Sequence, residues 1–83
     1  MLYRILTESI NHPEIVSIVS ARFPGFTMIV GHGYWKGCYE QCLIIEIVTD
    51  DIVAVEAIAF NIKQANNQES VLIQEIDCRH RFV

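Results

Sequence analysis

Two helical stripes, Ile15-Ile18-Val19 and Ile52-Val55-Ile58-Ala59-Ile62, are interleaved with short apolar runs of β character, and few folds accept that order. The runs are Leu2–Thr7, Phe26–Val30, Cys42–Thr49 and Val71–Ile76. The stripes recur at three- and four-residue spacing, which puts their side chains on one face of a helix. Asn11 offers a capping side chain, Pro13 falls in the first turn and Glu14 at the third helical position, so the first helix starts there. Phe23 extends its apolar face and Pro24-Gly25 ends it. Asp50 or Asp51 caps the second helix, which runs to about Asn66, and Asn66-Asn67 stops it because Asn tolerates a left-handed backbone. The resulting order, β-α-β-β-α-β, predicts two interleaved crossovers in one antiparallel sheet, strand order 4-1-3-2, with both helices on one face. This is the ferredoxin-like α+β arrangement.

At 83 residues the chain, 1–83, makes a single domain. Its residues are 52% hydrophobic, and a domain this small buries only about 60% of its unfolded surface. Self-association is the expected cover for the remainder, giving a homo-dimer or a larger oligomer. The net charge is -4 with six basic residues. Only Arg79-His80-Arg81 groups them, which is too little for a nucleic-acid footprint. No apolar stretch approaches the ~18 residues of a membrane span, so no membrane partner is expected. Three cysteines and no secretory leader point to reduced thiols and a cytoplasmic protein.

The chemistry of the chain is concentrated between the second and third runs. Gly31-His32-Gly33-Tyr34-Trp35-Lys36-Gly37, continuing to Gln41, is longer than a bare hairpin connection of two to five residues needs. Chain direction brings this connection to the same end of the sheet as residues 7–12 and 66–70. The amino end of the first helix, which favours anions, points there too. Trp35 and Tyr34 offer stacking faces, Lys36 and His32 donors, Asn67 and Gln68 amide groups. Glu8 and Glu69 are candidate acids or bases. Ordinary turn formation and packing of the aromatics on the sheet explain the same residues without a ligand.

Other motifs carry less. Cys38-x3-Cys42 and Cys78-x-His80 suggest zinc, but the topology puts them at opposite ends of a strand about 20 Å long. Zinc needs its ligands within about 2.3 Å, so no metal and no cofactor is expected. Gly31-x-Gly33 lacks the third glycine and the following helix of a dinucleotide fingerprint. On the third run, Leu43, Ile45 and Ile47 are assigned to the helix side, which turns Cys42, Ile44, Glu46 and Val48 outward. Arg4 is placed to pair with Glu46, with Tyr3 and Ile5 turned inward. That outer face is too apolar for water and is the expected self-association surface.

The segments Arg22-Phe23-Pro24-Gly25-Phe26-Thr27, Gly33-Tyr34-Trp35-Lys36-Gly37 and Asn66-Asn67-Gln68-Glu69-Ser70-Val71-Leu72 together resemble those of short uncharacterised proteins of bacterial and bacteriophage genomes. The resemblance spans Tyr3 to Ile73. It implies a ferredoxin-like fold and a phage or prophage origin, and no activity. The functional expectation is a non-enzymatic homo-oligomeric module. It binds an anionic or nucleotide-like small molecule, or a protein partner, at the rim formed by His32, Tyr34, Trp35, Lys36, Asn67 and Gln68, and a phage copy would use it against a host defence. The alternatives are an enzyme of the dimeric α+β barrel type, with Glu46 and Arg4 enclosed between paired sheets and His32 at the mouth, and a structural phage component.

Overall fold

The computed structural model describes all of residues 1–83. The elements are β1 (Leu2–Glu8), α1 (His12–Ser20), β2 (Thr27–Trp35), β3 (Cys38–Val48), α2 (Ile52–Ala65) and β4 (Leu72–Ile76). They build one sheet of order β2-β3-β1-β4, and every neighbouring pair is antiparallel. This is the expected ferredoxin-like topology.

Alternation along the strands divides the sheet into two faces. Tyr3, Ile5, Leu43, Ile45 and Ile47 lie on the inner face, almost completely buried. They pack against Ile15 and Val19 of α1 and Val55, Ile58, Ala59 and Ile62 of α2, so the two helices share that face. Each fully buried aliphatic side chain stabilises the fold by about 1.5–3 kcal/mol. The stripes read from the sequence therefore face the core, with Ile18, Phe23 and Ile52 at its margin.

Both helices end as their local chemistry dictates, with one correction. The Asp51 side chain accepts from the Ala54 N–H at 3.0 Å and caps α2. Its other end is a Schellman turn: the Gln68 N–H donates to Lys63 O and the Asn67 N–H to Gln64 O, with Asn67 left-handed at φ 51. Asn11, expected to cap α1 with its side chain, does not. Its backbone is left-handed, φ 54 and ψ 42, and makes no side-chain cap. The amide is drawn across the molecule and donates to Asn66 Oδ1 at 2.9 Å.

The larger correction concerns the hairpin. β2 was expected to end at Val30 and β3 to begin at Cys42, yet the ladder continues through the glycines. Gly31 pairs with Cys42, Gly33 with Glu40, Tyr34 with Tyr39 and Trp35 with Cys38. Only Lys36 and Gly37 turn, with φ 51 and 78. Two successive positive φ values are the signature of the two-residue type I′ hairpin, whose twist matches that of its strands. What looked like a long loop is a twisted two-stranded arm that projects past the end of β1.

Candidate functional site

The arm does not stand free. Lys36 Nζ lies 3.5 Å from Glu69 Oε2, and Glu69 leads into β4, which is separated from β3 by β1. The tip therefore arches over the end of β1 to meet the far side of the sheet. A cavity of about 360 Å³ lies beneath it. Its floor and walls come from Leu6, Thr7 and Glu8 of β1, Gly33 to Trp35 of β2, Glu40 and Cys42 of β3, and Gln68 to Ser70 with Leu72. The volume is at the lower end of the range for small-molecule sites.

The register explains which side chains reach the cavity. Gly31, Gly33 and Trp35 alternate onto the outer face of the sheet, opposite Cys42, Glu40 and Cys38. Gly33 needs no unusual backbone; it supplies room. A Cβ there would stand 3.3 Å from Cys42 Cβ and 3.5 Å from Glu40 O, and anything longer would enter the cavity. His32 and Tyr34 alternate to the opposite face. There His32 Nδ1 is hydrogen-bonded to the Tyr39 hydroxyl at 2.6 Å, and the Tyr34 and Tyr39 rings meet edge to face at 5.5 Å. Tyr34 borders the cavity, yet its ring is committed to Tyr39.

Beside the cavity a chain of amides joins two segments that are remote in sequence, residues 7–11 and 66–70. Asn11 donates to Asn66, and Asn66 Nδ2 donates to Gln68 Oε1 at 3.2 Å. The hydroxyl of Thr7 also donates to Gln68 Oε1, and Gln68 Nε2 donates to Ser70 O at 3.4 Å. Thr7 is the one buried polar residue of the chain. This network holds residues 68–70 against β1, and it occupies both ends of the Gln68 amide. Cys42 is half-buried on the floor, and burial first, then the charge of Glu40, pushes its thiol up.

The structure thus brings the hairpin, residues 7–12 and residues 66–70 to one end, as chain direction predicts. Of the residues read from the sequence, Trp35, Tyr34 and Gln68 border the cavity and Lys36 stands at its mouth. His32 lies behind the arm, and Asn67 is an exposed helix terminator that does not line the cavity. Leu6, Glu40 and Leu72 were missed. Strand alternation contained the hint, because Leu6 and Leu72 are directly paired and share the outer face. Arg4 and Glu46 meet on that face at 2.7 Å but line no part of the cavity. Cys38 and Cys42 are separated from Cys78 by the length of the sheet, and no group of three or more potential metal ligands forms.

Fold and cavity define a small ferredoxin-like α+β domain with an arched β2–β3 arm. The crystal structure of a DUF3240 family protein from Shewanella baltica OS155 has this fold, with a TM-score of 0.72 at 14% identity over 99% of this chain and 94% of that one. The de novo designed protein Foldit4 is similar at a TM-score of 0.54 and 18% identity, covering 94% of each chain. At these identities the likeness is one of fold alone. No protein-family profile and no curated protein matches the chain. No helix is long and apolar enough to cross a membrane.

Proposed function

We propose that this chain is a non-enzymatic, homo-oligomeric binding module that takes a small molecule, or a side chain of a protein partner, in the cavity under the hairpin arm. The observation that carries this reading is the placement of Trp35, the only tryptophan, over a concave apolar floor. A tryptophan half exposed at a concave surface retains a large face for contact, and such residues dominate binding energies. The arm holds Trp35 there through nothing more than a hairpin ladder and one exposed ion pair, so the roof can adjust to what it covers. Binding by sequestration is the use such a module would have in a phage-encoded setting.

Self-association is supported by the outer sheet face. Leu2, Leu6, Ile29, Ile44, Val48, Leu72 and Ile76 alternate onto it, and Ile29, Val48 and Leu72 are each more than 40% exposed. They form two apolar rows, Ile29-Ile44-Leu6-Leu72 and Val48-Leu2-Ile76, on either side of the polar row Thr27-Glu46-Arg4-Gln74, and exposed apolar surface bordered by polar residues marks an interaction site. The cavity opens on the same face, next to Leu6 and Leu72.

Native mass spectrometry of the protein purified from its host tests both parts together. The expected spectrum shows an oligomer carrying a retained small molecule that Trp35→Ala loses. A bare 9.5 kDa monomer at micromolar concentration, identical for wild type and variant, overturns the reading.

A further inference from the structure

The charge of the cavity selects a class of ligand, an inference that rests on reading the cavity as a binding site. Glu8, Glu40 and Glu69 stand on its walls, and no lysine, arginine or histidine lines it. Neither Glu8 nor Glu40 is held in an ion pair. Beside them is the indole of Trp35, and the chain already brings a cation to that indole. The Lys36 ammonium lies 5.8 Å from the Trp35 ring centroid while it contacts Glu69. An aromatic face with a carboxylate beside it is how proteins hold ammonium groups, through attraction of the cation to the ring's negative face. Lys36 shows that Trp35 and Glu69 are spaced to do so. Its side chain and that of Glu69 are 68% and 76% exposed, and an ion pair that open is weak and readily exchanged.

We propose that the cavity binds an organic cation, a primary or quaternary alkylammonium. Its charge lies between Trp35 and the carboxylates of Glu40 and Glu69, and its hydrocarbon part rests on Leu6 and Leu72. Lys36 acts as an internal competitor for the same place. This reverses the anionic ligand expected from the sequence. That expectation counted Lys36 as a free donor and did not foresee Glu40, and an anion here would approach three carboxylates while the nearest ammonium is already engaged.

Trp35 reports binding directly through its emission, with choline and spermidine as cationic probes and AMP as the anionic one. The expected result is a saturable Trp35 response to choline or spermidine, weakened by added NaCl. Lys36→Asn, which suits the turn's positive φ, tightens that response about fivefold by removing the competitor, and Glu40→Gln weakens it by about the same factor. Unchanged circular dichroism shows that the variants remain folded. A response to AMP that Lys36→Asn abolishes, with none to the cations, overturns the cation inference and leaves the cavity as a binding site. Silence of Trp35 towards all three probes, together with no retained small molecule in the native mass spectrum, overturns both.

Discussion

Arg4 and Glu46 are directly opposed in the β1–β3 ladder, and the Arg4 Nε donates to Glu46 Oε2 at 2.7 Å at the centre of a polar row, Thr27-Glu46-Arg4-Gln74, with apolar rows on either side. On an isolated subunit such a half-exposed pair contributes about 0.2–1 kcal/mol. Against a second copy it would be desolvated, and removing one partner would strand the other charge at a cost of about 2–5 kcal/mol. Arg4→Ala is therefore expected to lower subunit stability little but to drive the oligomer towards 9.5 kDa in light scattering. An oligomer indifferent to this change would remove the outer face from consideration as the interface.

The turn makes a sharper prediction. Gly37 adopts φ 78 with open space around it, so a side chain there meets no neighbour and only the backbone conformation resists it. Gly37→Ala should cost about 1–2 kcal/mol. Lys36→Asn, at φ 51, should stabilise by a few tenths of a kcal/mol, because Asn accepts that conformation more easily. Urea midpoints with an unchanged slope would report both effects.

In the core, Ile45 and Ile58 are completely buried, one at the centre of the sheet and the other on α2. Truncation of either to alanine is expected to cost about 2–5 kcal/mol, transfer and cavity terms together. The same change at Phe60 or Val53, which point to solvent from α2, should stay near 0.5 kcal/mol. Equal losses at buried and exposed positions would contradict the assignment of helix faces.

Tyr3 links stability to alkaline pH. Its ring is buried, while no buried polar atom lacks a partner, so its hydroxyl opens to water. Burial, and then the charges of Glu75, Asp50 and Glu56, push its pKa above 10.0. The unfolded chain then releases this proton at lower pH than the native state. The native state's advantage is whole below the ordinary tyrosine range and is lost as pH rises from about 10. Urea titrations at pH 7 to 11 should show stability falling on that limb, and Tyr3→Phe should flatten it.

Thiol chemistry distinguishes the two cysteines of the arm. Cys38 is exposed near the tip, while Cys42 is half-buried with its thiol pushed up. Because the thiolate is the reactive form, a thiol reagent near neutral pH should label Cys38 first. Glu40→Gln should then speed labelling of Cys42 by removing the charge that opposes its ionisation, as peptide mapping over time would show.

The sequence alone determined the elements, their order, the core face of each and the strand order, because these follow from local periodicity and from the few ways such a series can close. Tyr3, Ile5, Leu43, Ile45 and Ile47 were legible as inward residues for that reason. The Arg4–Glu46 pair was legible too, since alternation along adjacent strands suffices for it. Only the tertiary structure decided that the glycine-rich stretch is strand. Glycine and polar residues carry little β-propensity, and what holds Gly31 and Gly33 extended is the partner strand at Cys42 and Glu40. That extension set the alternation of the arm and turned Trp35 to the outer face and His32 away from it. The cavity itself comes from the curvature of the arm over the end of β1, with Gln68 to Ser70 as its far wall. It lies between segments far apart in the chain, and no local pattern encodes a distance between remote residues.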